Sequence, residues 1–388
     1  FQNCFIETNE CSRMAHQLSD LYLYRAKLVM KLLGVWIPNF KENISQKIYK
    51  IFMLTLQYSF LLFQVIYVVQ VWGDLEAMSQ AVYLLFTQAC LCCKIAVFHV
   101  NVGSVRKLLY LMNSNVFKPQ CSFIFRILKL RANSIKRLLL YFIVAAEVTC
   151  LVWGLIPLFD NGDIRKFPFE MWMPVKPNTS PQYEFGYLFQ EITICTSALI
   201  YYGVDSVAIS MVIYACAQME MIMVKNLSVT LDIILYKQKI FEYKHTYIFI
   251  FRFTELVEDT FHIYMLFQLI GTVGIIVMSA FNILVLEMQS MQLISTIIYV
   301  IVMISQIFLC CWSGHELTAT SEKLHTVLYM GVWYEQDLKF QRSLCLALIR
   351  MKRPLVLRAG HYISLSRQTF VAILRMSYSY FAVLNQTT

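Results

Sequence analysis

His315, Glu316 and His325 are the side chains best suited by type to hold a metal ion, yet their spacing is not the HExxH of a zinc helix and no third ligand stands nearby. They read instead as solvated polar residues of a helix. The sequence has no glycine-rich phosphate loop and no GxSxG elbow, and only 12 glycines in all. Neither catalysis nor a cofactor is expected. The chemistry that calls for an explanation is ionic. Lys94, Glu147, Glu191 and Asp205 lie inside long apolar runs, where a charge at the centre of a bilayer costs at least about 2.5–3.5 kcal/mol. Interhelical hydrogen bonds, or snorkelling of Lys94 toward the inner surface, account for them most simply; an ion path or a polar ligand contact is the other reading. Gln64, Gln88, Gln268 and Asn282 read as interhelical bonds still more readily.

The elements that hold these residues are membrane spans. Of 388 residues 58% are hydrophobic and 15% charged, which is more apolar surface than a soluble domain can hide. Seven segments, near 51–71, 81–101, 138–159, 187–217, 263–286, 291–312 and 366–386, reach the about 20 residues that a helix needs to cross the hydrocarbon core. The first, as the earliest long apolar run, is expected to act as an uncleaved signal. The fourth is long enough to project beyond the bilayer. The fifth and sixth, joined around Glu287 and Gln289, must be an antiparallel pair.

The net charge of +9 falls between the apolar runs, which argues for topology and against nucleic acid. Arg13, Arg25, Lys27, Lys31, Lys41, Lys47 and Lys50 precede span 1, whereas the loop after it has only Asp74 and Glu76. Arg106, Lys107, Lys118, Arg126, Lys129, Arg131, Lys136 and Arg137 follow span 2, and a third basic set from Lys323 to Arg358 precedes span 7. The alternation predicts a cytoplasmic N-terminus and an extracellular C-terminus, the reverse of a G-protein-coupled receptor. The sequon at Asn178 then falls in an exterior loop, although Pro181 follows it. Cys90, Cys92, Cys93, Cys150, Cys195, Cys216, Cys310 and Cys311 lie in apolar runs and are expected to be free thiols. The pairs at 92–93 and 310–311 are also candidates for palmitoylation.

Phenylalanine, tyrosine and methionine number 28, 23 and 19. Most should face lipid or the core, but a cavity for small apolar molecules would use the same types. Such a pocket is expected between the outer halves of spans 2, 3, 4 and 6. Helical spacing of three and four gathers Tyr83, Phe86, Thr87 and Cys90 in span 2, and Val148, Leu151, Val152 and Leu155 in span 3. Thr193, Thr196 and Ile200 in span 4, with Ile294 and Ile298 in span 6, complete the expected lining. In span 7, Ala372, Met376, Ser379, Val383 and Gln386 share one stripe.

The stretch from Trp333 to Leu384 resembles the C-terminal signature of insect odorant receptors, with SLCLALIRMKRPLVLRAG followed by TFVAILRMSYSYFAVL. MKLLGVWIPN before span 1, PFEMWMP and SPQYE before span 4, and GVDS within it agree, in a style similar to hymenopteran members. The resemblance implies an all-α membrane protein with seven spans, the last helix being split into a cytosolic part and a pore-lining part. It divides the chain into a cytoplasmic segment (1–50), spans 1–6 with the ligand-binding bundle (51–312), a cytoplasmic anchor (313–358), and the pore-lining span with a short extracellular tail (359–388). It further implies a tuning subunit that assembles as a tetramer with odorant receptor co-receptor subunits in the plasma membrane of a sensory dendrite. There it would bind a small volatile and gate cations. Ser377-Tyr378-Ser379-Tyr380-Phe381 is of tuning-receptor type, and the long insertion of the co-receptor between spans 4 and 5 is missing. Met376, Ser379, Val383, Gln386 and Thr387 are the implied pore and gate residues, with Val383 the constriction. Thr387 departs from the apolar residue common there in the co-receptor.

The amphipathic stretch before Pro354 reads either as an interfacial helix on anionic lipid or, by the resemblance, as part of the anchor. A gustatory-type channel is the nearest alternative, but its TYxxxxxQF ending matches poorly here. A G-protein-coupled receptor would need an exterior N-terminus and an NPxxY-like run in span 7, and a transporter would need internal repeats. The sequence supports neither of the last two.

Overall fold

The computed structural model describes residues 18–36, 43–118, 122–159, 167–174, 180–229, 233–285, 291–331, 333–335 and 338–387. The Asn178 sequon and the turn at Glu287 and Gln289 lie outside them.

The N-terminal segment forms a docked helix, α1 (Leu18–Leu32). Leu18, Tyr22, Ala26 and Met30 recur every fourth residue and are buried, while Tyr24, Leu28 and Leu32 face outward. Gly34 stops the helix: at φ +70° it takes the left-handed conformation, and Val35 and Trp36 return their N–H groups to the Met30 carbonyl.

Among the described residues, six helices are long and apolar enough to cross a membrane. They are α2 (Ile44–Gln70), α3 (Leu75–Val100), α5 (Ser122–Phe159), α6 (Gln182–Val229), α7 (Ile233–Val285) and α8 (Met291–Tyr329). Short α4 (Val102–Met112) follows α3, and α9 (Leu338–Met351) follows α8. After Pro354 a two-residue hairpin, β1 (Arg358–Ala359) with β2 (Ile363–Ser364), leads into α10 (Arg367–Thr387). The expected seventh span is thus a continuous helix, but it is not among the six. Arg367, Gln368, Arg375, Ser377, Ser379, Asn385 and Gln386 dilute its apolar content.

The helices of spans 3 to 6 run well past the apolar windows, because their polar continuations stay helical and pack on one another. Arg131 of α5 joins Glu220 of α6 through two hydrogen bonds and reaches Glu316 of α8 at 3.3 Å. Glu316 therefore has a structural partner. Beside it, Tyr214 of α6 gathers Tyr22, Phe117 and Phe253 edge-on and donates to the Met112 carbonyl at 3.0 Å. α6 is the axis of the fold, packed against α1, α5, α7 and α8. Small residues set the closest approaches, as bilayer helices require. A Cβ on Gly314 of α8 would sit 2.6 Å from Leu365 Cβ and 2.7 Å from its carbonyl oxygen, so only glycine lets the segment entering α10 lie on α8. Each cysteine among the described residues is a free thiol.

Candidate functional site

Tyr83 of α3, Trp153 of α5 and Tyr299 of α8 form a triangle of rings with centroids 5.0–6.2 Å apart. These rings are held in place: the Tyr299 hydroxyl is hydrogen-bonded to Thr87, and Phe169 meets Trp153 edge-on at 5.6 Å. Phe169 belongs to the loop 167–174, which folds inward because Gln190 of α6 binds both its N–H and its carbonyl, at 3.0 and 3.2 Å. Two cavities flank the triangle. One, of about 90 Å³, lies under the loop between Gln80, Ile156, Glu170 and Asn282. The other, of about 60 Å³, lies between α3, α5, α6 and α8 and is almost wholly apolar at its surface. Each exceeds several-fold the ~10–15 Å³ that a single water needs.

Polar groups behind the second cavity are tied into a ladder. Gln88 Nε2 donates to the Gln57 side chain at 2.9 Å, Ser197 Oγ lies 2.7 Å from Gln57 Oε1, and Gln57 Nε2 donates to Thr196 at 3.0 Å. Six residues farther along α3 from Gln88, and eight farther along α6 from Ser197, lies a buried ion pair, Lys94 Nζ to Asp205 Oδ1 at 2.7 Å. Lys94 does not snorkel; only 1% of it is exposed. Its ammonium sits 3.5 Å over the Tyr201 ring, while Asp205 Oδ2 accepts from Gln306 of α8. Tyr201 in turn donates to Gln268 of α7 at 2.5 Å. A single network thus fixes α3, α6, α7 and α8 beneath the cavity. A charge in this place is tolerable only with such a set of partners. Glu147 Oε1 and Glu191 Oε2, by contrast, are buried without a hydrogen-bond partner.

Of the residues expected to line a pocket, Thr87 lines the 60 Å³ cavity and Tyr83 the other. Phe86 and Cys90 turn to α7, where Gly274 and Gly271 leave room for them. Thr193 and Ile200 are core residues, and Thr196 belongs to the polar ladder. Val148, Leu151 and Leu155 stand on the outward face of α5, each about half exposed, with Val152 half-buried beside them. Ile294 and Ile298 likewise face out from α8. The cavity takes the adjoining faces instead: Ala146, Thr149, Cys150 and Trp153 of α5, Ile194, Ser197 and Tyr201 of α6, and Tyr299, Val302, Met303 and Gln306 of α8. The signal available in the sequence was polarity within the repeat. Thr149 with Trp153, and Tyr299 with Gln306, mark a face that cannot stand in lipid cheaply, whereas an all-aliphatic stripe can.

In α10, Ile373 and Ser377 are buried and Phe370 packs on Phe308 of α8 at 5.4 Å. Ala372, Met376, Ser379, Val383 and Gln386 all lie on the exposed side of the helix; of Thr387 only the backbone is described.

The 7tm odorant receptor family model matches residues 74–378. The chain is 24% identical to odorant receptor Or1 of Anopheles gambiae, covering 92% of this chain and 93% of the relative. It is 25% identical to odorant receptor 46a, isoform A, of Drosophila melanogaster, covering 84% and 87%. Its fold is similar to that of the olfactory receptor OR5 of Machilis hrabei, with a TM-score of 0.81 at 14% identity over 95% of this chain and 98% of that one. The same receptor in complex with eugenol gives a TM-score of 0.82.

Proposed function

The chain belongs to the 7tm odorant receptor family, and on that premise we propose that it is a tuning subunit that binds a small volatile between α3, α5, α6 and α8 and opens a cation pore lined by α10. The relatives are receptors, not enzymes. One observation carries the reading: an apolar cavity, walled by aromatic rings, lies between helices of a bundle whose last helix keeps a stripe of small, apolar and polar residues on its exposed side.

Four copies of that stripe around an axis would form a conduit, assembled with odorant receptor co-receptor subunits in a plasma membrane. Val383, 61% exposed, would be the apolar constriction that dewets the closed pore, with Met376, Ser379, Gln386 and Thr387 beside it. The basic segments support a cytoplasmic N-terminus, and a sensory dendrite is the compartment that the family suggests. The ligand acts only through a difference in affinity, since equal binding to closed and open states shifts nothing. The ion pair network and the long helices below it are the rigid path by which a filled cavity would bias α10.

Cells expressing the chain with a co-receptor, recorded across a panel of volatiles, should show an odorant-dependent cation current, and Val383→Ser should raise the unstimulated current. Surface-exposed protein without any odorant-dependent current would contradict the channel reading, and unchanged basal conductance in V383S would contradict the gate.

A further inference from the structure

Gln306 is 4% exposed and lines the 60 Å³ cavity. Its amide cannot point either way. The Asp205 carboxylate, which already binds Lys94, accepts only, so the Nε2 end must face it. The carbonyl oxygen, Oε1, is left buried without a partner. A buried acceptor left unsatisfied is costly, and a bound molecule that supplies a donor recovers that cost.

The other hydroxyl and amide groups of the lining are already taken. Thr87 is bonded to Tyr83 and Tyr299, Gln88 to Gln57, Thr149 to the Ala145 carbonyl, Ser197 to the ladder, and Tyr201 to Gln268. Among the side-chain oxygens of the lining residues, Gln306 Oε1 is thus the one buried without a partner, in an otherwise apolar, aromatic wall.

Resting on the proposed ligand site, we propose that this receptor is tuned to small volatiles carrying a hydroxyl group, an alcohol or a phenol, whose O–H donates to Gln306 Oε1. Ethers, esters and ketones of equal size bring only acceptors, which meet the Oε1 lone pairs unfavourably.

The test compares matched pairs on the full chain co-expressed with a co-receptor: benzyl alcohol against benzyl methyl ether, 2-methylphenol against 2-methylanisole, and hexan-1-ol against methyl hexyl ether. In at least one pair the hydroxyl member should act at about 10- to 100-fold lower concentration, and no ether should surpass its partner. Gln306→Leu and Gln306→Met should erase that ratio, with surface labelling reporting on folding. If neither variant reaches the surface, the wild-type ratios alone decide. Ethers that match or beat their alcohols overturn the hydroxyl preference and leave the ligand site standing. A ratio unchanged in a surface-exposed Gln306 variant overturns Gln306 Oε1 as the acceptor. Silence to every compound and to a broader volatile panel, with the protein at the surface, overturns both.

Discussion

α6 and α10 are both helices of a membrane receptor, yet they stand at opposite extremes of burial. In α6, 83% of the apolar stretch is buried within the chain, and its Asp205, Thr193 and Ser197 all find partners there. In α10, one face is buried through Ile373 and Ser377 while Val383, Tyr378 and Tyr380 remain 60–72% exposed. The difference separates what one chain completes alone from what it leaves to its surroundings. A helix buried along most of its length, with Asp205, Thr193 and Ser197 paired, is a structural axis. A less apolar helix with a mixed exposed stripe needs water or further subunits against it, because lipid does not satisfy the exposed Gln386.

The completed region can be broken most severely at its ion pair. Lys94→Met leaves the Asp205 carboxylate buried and uncompensated and should cost about 3–5 kcal/mol, read as loss of surface protein. Lys94→Met with Asp205→Asn should recover a substantial part. A single variant as abundant and as heat-resistant in detergent as the double one would show that the pair does not anchor the bundle.

A comparably large effect is expected at the cavity wall. Trp153→Ala should destabilise by about 3–5 kcal/mol and alter odorant selectivity, whereas Leu151→Ala, one face around the same helix, should cost much less and leave selectivity alone. Equal melting shifts for the two would refute the assignment of faces on α5.

Glycines sharpen the contrast at smaller scale. Gly314→Val would push Leu365 and the start of α10 off α8, at about 1–3 kcal/mol. Gly103→Ala enters open space in α4 and should stabilise by about 0.5–1 kcal/mol through helix propensity. Thermal melting of both variants in detergent checks the opposite signs; a stabilising G314V would remove the close contact from the account.

The nearly all-helical fold was legible because apolar runs of membrane length leave few alternatives. The helices' true lengths were not, since the polar continuations of α5 to α8 carry no hydropathy signal, and neither was the docking of α1. Of the candidate site, α3 was read through Tyr83 and Thr87. On α5 and α8 the aliphatic stripes at Leu151 and Ile298 were chosen over the neighbouring faces with Trp153 and Gln306. Spacing identifies a stripe without saying which side meets lipid, and the buried polar residue decides that. Lys94 was noticed as costly, but its partner 111 residues away became visible only once α3 and α6 were seen side by side.

The stripe of α10 carries the functional claim, and cysteine accessibility tests it most directly. In receptors opened by an odorant, Ser379→Cys and Val383→Cys treated from outside with a charged thiol reagent should lose most of their current, while wild type under the same reagent keeps it. Full modification of both cysteines with undiminished current would mean that this face of the helix borders no ion path.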